Sequence, residues 1–218
     1  MRIRIKPVMI VSLLLFVTLP SPRSIYAAPL YFPHVVTSIP WQTEIAVINT
    51  SPDQLASGIL RAFGNDGRPV GAKNVALPGR GRIQINVAER FKNHTEIGYL
   101  IFETDADTVQ GYVKFYHQGV CRTAIPAAKE TSMSNIYIPH IASDTRWRTR
   151  LCLLNTTASE KEPIVSFNNG FMKPVKLAAK EQKTFDIATL FGDRPQTNIQ
   201  SAVIPYHPMF AEGIIALE

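Results

Sequence analysis

Tyr31-Phe32-Pro33-His34, followed by Trp41-Gln42-Thr43-Glu44-Ile45-Ala46-Val47-Ile48-Asn49-Thr50-Ser51, is the stretch that decides the fold, because the chain repeats it 106 residues later. The second version reads Tyr137-Ile138-Pro139-His140 and then Trp147-Arg148-Thr149-Arg150-Leu151-Cys152-Leu153-Leu154-Asn155-Thr156-Thr157. Across the 21 aligned positions seven are identical and seven more are close exchanges, such as Val35 for Ile141. Trp and His matching in one ungapped register mark a duplication, and a duplication implies two copies of one fold. Further on the register slips, as loops of unequal length require. Asn65-Asp66-Gly67 answers Asn168-Asn169-Gly170, and Pro69-Val70 answers Pro174-Val175. Asn86-Val87-Ala88 with Phe91 answers Asp186-Ile187-Ala188 with Phe191, and Gly111-Tyr112-Val113 is aligned with Gly213-Ile214-Ile215.

Each copy reads as short strands separated by turn chemistry. Trp41, Thr43, Ile45 and Val47 alternate with Gln42, Glu44 and Ala46, the period of two of a strand with one buried face. Asn65-Asp66-Gly67 suits a hairpin because these residues tolerate positive φ. Pro78-Gly79-Arg80-Gly81 predicts a second turn and Asp105-Ala106-Asp107 a third, while only Ala88 to Phe91 suits a helical turn. Six or seven strands in about 95 residues predict an all-β chain of two tandem immunoglobulin-like β-sandwich domains. The expected division is repeat 1 over 28–126, a linker over 127–135 and repeat 2 over 136–218.

Ahead of the repeats, Arg2, Arg4 and Lys6 precede an apolar run from Val8 to Leu19, then Pro20, Pro22 and the small pair Ala27-Ala28. That order predicts a signal peptide over 1–27, cleaved after Ala27. The run holds twelve residues against the roughly 20 that a membrane-spanning helix needs, so no stable membrane span is expected in the mature chain. Export places the protein in the periplasm, on the cell surface or outside the cell. Four of the 23 Lys and Arg fall within the leader and none of the 17 acids do, leaving 19 basic against 17 acidic residues. That balance argues against nucleic acid as a partner.

Cys121 and Cys152 both lie beyond the leader, and an oxidising compartment predicts a disulfide between them. Cys152 takes the place of Ala46, on the strand face opposite Trp147, so its sulfur points away from its own core. A strand from Val120 to Ile125 crossing onto the second copy would bring Cys121 to it and clamp the two domains.

Tyr-Phe-Pro-His, the Trp-x-Thr strand running into Ile45-Ala46-Val47-Ile48-Asn49, Asn65-Asp66-Gly67-Arg68-Pro69-Val70, and Gly98-Tyr99 leading to Gly111-Tyr112 resemble β-sandwich repeats of exported bacterial proteins. The resemblance covers nearly all of the mature chain. It implies a fold and a compartment, and carries no shared reaction or ligand.

Candidate functional residues are few. His34 and His140 alternate with apolar neighbours and are expected as buried structural histidines, and with no second ligand at a recognised spacing no metal is assigned. Trp41 and Trp147 fall in phase with the core-facing series and are expected inside. Asn49 and Asn155 head repeated Asn-Thr-Ser/Thr sequons, read as strand-end chemistry rather than glycan acceptors. Arg146, Arg148 and Arg150 fall on one strand face where the first copy has Pro40, Gln42 and Glu44, and are the leading candidate contact surface for carboxylates or phosphates. The serine-elbow pattern, a phosphate loop, paired Cys motifs and His-Glu-x-x-His are missing, so neither an enzyme nor a cofactor is expected. Glu103, Asp105 and Asp107 read as turn formers.

The expected function is therefore an exported, non-catalytic structural or interaction module that binds a protein or an anionic surface polymer. A carbohydrate-binding domain and a two-domain periplasmic chaperone-like protein are the alternatives.

Overall fold

The structure, a computed structural model, describes residues 28–129 and 134–218, so the segment 1–27 read as a signal peptide lies outside the described residues. Repeat 1 contributes β1 (Leu30–Phe32), β2 (Trp41–Asn49), β3 (Ala56–Phe63), β4 (Pro69–Leu77), β5 (Arg82–Asn86), β6 (Tyr99–Thr104) and β7 (Val109–His117). The connecting segment adds β8 (Val120–Pro126) and β9 (Ala128–Lys129). Repeat 2 contributes β10 (Ile136–Ile138), β11 (Arg150–Asn155), β12 (Ile164–Phe167), β13 (Met172–Pro174), β14 (Gln182–Asp186), β15 (Ala202–Ile204) and β16 (Ile214–Leu217).

All strand pairs are antiparallel and fall into four sheets. In repeat 1 the four strands β4-β3-β6-β1, extended by β9 beside β1, lie across from the three strands β5-β2-β7, extended by β8 beside β7, and in repeat 2 the four strands β13-β12-β15-β10 lie across from the three strands β14-β11-β16. The two orders coincide strand for strand. Each pair of sheets encloses its own core. Leu30, Phe32, Leu60 and Phe102 meet Ile45, Val47, Val113 and Phe115 in the first, and Ile138, Val165, Phe167 and Ile204 meet Leu151, Leu153 and Ile214 in the second. Seven strands divided four and three agree with a sandwich, but the order is not that of a constant-type immunoglobulin domain. There the first, second, fourth and fifth strands share a sheet, whereas here the first, third, fourth and sixth do.

The alternation in β2 has the expected effect from Thr43 onward for most positions: Thr43, Ile45, Val47 and Asn49 are buried on the inner face and Gln42 and Glu44 are not, but Ala46, read with them on the outer face, is buried as well. The Asn65-Asp66-Gly67 hairpin joins β3 to β4 as read. The other two turns carry the chain from one sheet to the other, since β4 and β6 belong to the sheet that contains β1 and β3, and β5 and β7 to the sheet that contains β2. Val87–Arg90 forms the one α-helical turn among the described residues, capped by the Asn86 side chain accepting from the Ala88 amide.

Asn49 and Asn155 knot the strand ends. The Asn49 amide donates to the carbonyls of Gln54 (2.7 Å), Leu77 (3.2 Å) and Pro78 (3.1 Å), and its Oδ1 accepts from the Ser51 amide and the Thr108 hydroxyl. Asn155 donates to Ser159 (2.7 Å) and Ala178 (2.8 Å) and accepts from the amide and hydroxyl of Thr157. Both are almost wholly buried, so the hydrogen bonds offset the cost of enclosing an amide.

Four expectations need correction. The last-strand alignment is three residues out. Thr50 donates to the Thr108 carbonyl and Thr156 to that of Gly213, so Val109-Gln110-Gly111 corresponds to Ile214-Ile215-Ala216. Trp41 and Trp147 are 37% and 69% exposed. Each sits one step beyond the core, which closes at Thr43 and Thr149, whose hydroxyls take the amides of Val36 and Ala142. His34 is half-buried and His140 exposed, because β1 and β10 end at Phe32 and Ile138 and the alternation does not reach the histidines. Finally, Cys121 and Cys152 are both free thiols. The Val120–Pro126 strand stays on repeat 1 as the neighbour of β7, with Cys121 opposite Tyr116 and exposed.

Candidate functional site

The two repeats meet face to face. Tyr31, Tyr99 and Ile101 on the outer face of the repeat 1 four-stranded sheet form one buried cluster with Leu154 and Ile215, on the outer face of the repeat 2 three-stranded sheet. Polar bonds stitch its margin: the Tyr99 hydroxyl donates to the Lys180 carbonyl at 2.9 Å, and the Gln182 amide N–H to the Asn65 carbonyl at 2.7 Å. Gly67, at φ 80°, lets the hairpin tip press against repeat 2, where a Cβ would come within 2.6 Å of the Lys180 side chain. Burial, with the charge of Asp66 beside it, pushes the Tyr99 phenol up to about 12.

Cys152 is enclosed in this interface. Its thiol donates to the Pro33 carbonyl at 3.2 Å, and its sulfur accepts from the Gln182 side-chain amide at 2.9 Å. Burial pushes the thiol up to about 11 against the opposing hydrogen bonds from Thr184 and Gln182, so it is a poorly reactive core group. Its direction is the one read from the strand pattern; its partner is a carbonyl of repeat 1 rather than Cys121. His34 lies 3.4 Å from the Gln182 amide nitrogen, with burial first and the Arg150 guanidinium second holding its imidazole below the usual range.

Beside the interface runs a groove. One hollow of about 430 Å³ is lined by His34, Trp41 and Arg122 of the first repeat and its connector, and by Arg150, Cys152 and Leu217 of the second. A second of about 330 Å³ lies between Ile136–Pro139 and Ala216–Glu218. The two share Thr123, Ile125, Leu217 and Glu218, so they form one continuous channel along β8 and β16. A larger hollow of about 570 Å³ over β3 and β6 has Arg61 and Glu103 bonded to each other at 2.7 Å, leaving little free charge for a ligand.

The three candidate arginines do not form a single stripe. Arg150 opens β11 and lines the groove, Arg148 pairs with Ser143 in an isolated bridge, and Arg146 sits in a tight turn where Asp144 accepts from the amides of Arg146 and Trp147. Asp186 on β14 lies 3.2 Å from Arg150 and 3.8 Å from Arg148, so two cations share one carboxylate. Sequence reasoning missed Tyr31, Tyr99, Leu154 and Ile215, although a signal existed. Leu151 to Leu154 is apolar on both strand faces, the mark of a strand covered on both sides.

Among the described residues no group of three or more His, Cys, Asp or Glu side chains is placed to hold a metal, and no helix is long and apolar enough to cross a membrane. In comparison with known proteins, no family model, curated protein or solved structure matches the chain. The resemblance to exported repeats thus rests on the motifs themselves.

Proposed function

We propose that this chain is an exported, non-catalytic interaction module of two tandem β-sandwiches that binds another protein through the groove beside the contact between its repeats. One observation carries the reading. The groove is lined by β8 of the first repeat and by β10 and β16, edge strands of the repeat 2 sheets among the described residues, and it joins apolar Ile125, Ile138 and Leu217 to the cations Arg122 and Arg150. An apolar groove with a few placed charges is an ordinary docking site for a protein segment. Tyr137, 72% exposed, stands in its lining. The leader pattern at Arg2 to Ala27 supports export.

Exposure of Tyr137 and Trp147 also favours a second reading, carbohydrate binding by aromatic faces. Photo-crosslinking amino acids placed at Leu217 and Tyr137, with Glu89 on repeat 1 as control, separate the two in intact cells. A protein adduct from the edge positions and none from Glu89 is expected. Equal labelling from all three, or adducts to polysaccharide only, overturns the reading.

A further inference from the structure

We infer that repeat 2 carries a second binding site, independent of protein docking in the groove, which takes one ring of a neutral sugar. The site is a hollow of about 300 Å³ between the turn that joins β10 to β11 and the segment that begins at the end of β14. Ser143, Asp144, Thr145, Arg148, Asp186 and Asp193 supply its polar wall, and it shares no lining residue with the groove.

Ser143 carries the argument. It is 5% exposed and lines the hollow, yet among the described residues its hydroxyl makes no hydrogen bond within the protein. A buried hydroxyl left without a partner is costly unless something in the hollow bonds to it. The Thr145 hydroxyl and the Asp193 carboxylate, also in the lining, have no partner among the described residues either. Asp144 turns one oxygen to the amides of Arg146 (2.6 Å) and Trp147 (2.7 Å), and its other oxygen is unbonded there. Repeat 1 is the internal control. Its corresponding hydroxyl, on Thr37, donates to the His94 carbonyl at 2.9 Å, and Asn86 accepts from the Ala88 amide at 3.0 Å, so both side chains serve the fold itself. Asp186, the counterpart of Asn86, makes no such cap. Ser38, Asn86 and Asn93 stand where repeat 2 has Asp144, Asp186 and Asp193. The same corner closes on itself in the first copy and keeps hydrogen-bonding groups unengaged in the second.

Charge argues against an ion as the occupant. The two segments, 143–150 and 186–195, carry Asp144, Asp186 and Asp193 against Arg146, Arg148, Arg150 and Arg194, close to balance. All three carboxylates line the hollow and only Arg148 of the four guanidiniums does, which disfavours an anion inside it. A cation finds Asp186 already facing Arg150 at 3.2 Å and Arg148 at 3.8 Å, and no three of the acids are placed to hold a metal. The fitting ligand is neutral and both donates and accepts: its hydroxyls donate to the carboxylates and accept from Ser143, Thr145 and Arg148. Trp147 adds an apolar platform in the same turn. It is 69% exposed with no aromatic neighbour among the described residues, whereas Trp41 packs on His117 with ring centroids 4.8 Å apart. Clustered hydroxyls on an apolar ring, met by polar groups beside an aromatic face, are the chemistry of a pyranose.

Methyl glucoside, methyl mannoside, methyl galactoside and N-acetylglucosamine test this, with glucuronate and spermidine as the anionic and cationic comparisons. Each is titrated into the intact protein while backbone amide shifts are followed by NMR. At least one neutral sugar should saturate in the millimolar range and move the amides of Ser143 to Arg148 and of Gly192 to Arg194. Ser143→Ala and Asp193→Asn should each weaken that binding about fivefold or more, the loss expected for one hydrogen bond. Asp193 is exposed, so its variant keeps the test clear of any folding defect at the buried serine. The proposal is overturned by an absence of shifts at these amides with all four sugars, by tighter binding of glucuronate or spermidine than of every neutral sugar, or by an affinity indifferent to Asp193→Asn. Shifts confined to the neighbourhood of Tyr137 overturn it too, and place the sugar in the groove instead.

Discussion

The three-stranded sheets of the two repeats have the same strands in the same order, yet their outer faces have opposite character. In repeat 1 that face carries Glu44, Arg82, Gln84, Tyr112 and Lys114, with Gln84 and Tyr116 hydrogen-bonded to Glu44 and Arg82 to Tyr112. In repeat 2 the corresponding positions carry Arg150, Gln182, Thr184 and Leu217, and beside them Cys152, Leu154 and Ile215 are buried. The four-stranded sheets show the reverse. Tyr31, Phe63, Tyr99 and Ile101 in repeat 1 are answered by the less buried Tyr137, Asn168, Ser201 and Val203 in repeat 2. One apolar face of each kind meets the other, and the two polar faces are left outermost. Identical folds have thus diverged, the first offering its four-stranded face and the second its three-stranded face to the contact between them.

Three experiments break or sharpen that comparison. The largest effect belongs to what the repeats share. Asn49→Ala and Asn155→Ala should each cost about 3 kcal/mol or more, since each orphans at least two carbonyl acceptors and leaves backbone amides unbonded. Urea unfolding of both variants measures it, and a loss confined to one repeat would show that the knots are not equivalent. Next comes the divergent face. Leu154→Ala, at 1% exposure, should cost about 2–4 kcal/mol, while Ile48→Ala at the corresponding half-buried position should cost under about 1 kcal/mol. Equal costs would mean that the interface contributes no more than an ordinary surface.

The smallest effect is a pH dependence at the same interface. His34 in the folded protein is held below its usual range, so the unfolded chain takes up the proton near about pH 6.5 and the folded chain only at lower pH. Stability should rise with pH through the interval between the two values and fall as the pH drops below about 6.5. Melting curves of the intact protein and of His34→Asn across that interval check it. The slope should flatten in the variant, and an unchanged slope would assign it to other groups.

Much of this was legible in the chain. The duplication, the strands around Ile45 and Leu151, the Asn65-Asp66-Gly67 hairpin and the outward direction of Cys152 follow from period-two alternation and turn chemistry, which are local. Such patterning says which side chains share a face. It does not say what covers the second face, nor where a core stops. Only tertiary structure decided that Trp41 and Trp147 lie past the closing threonines and that β8 remains beside β7. It likewise put the Cys152 thiol against Pro33, and divided the three arginines between a groove, a bridge and a turn. Each of those outcomes depends on contacts between residues far apart in sequence, where packing and strand neighbours decide, and no single strand's pattern records its neighbours.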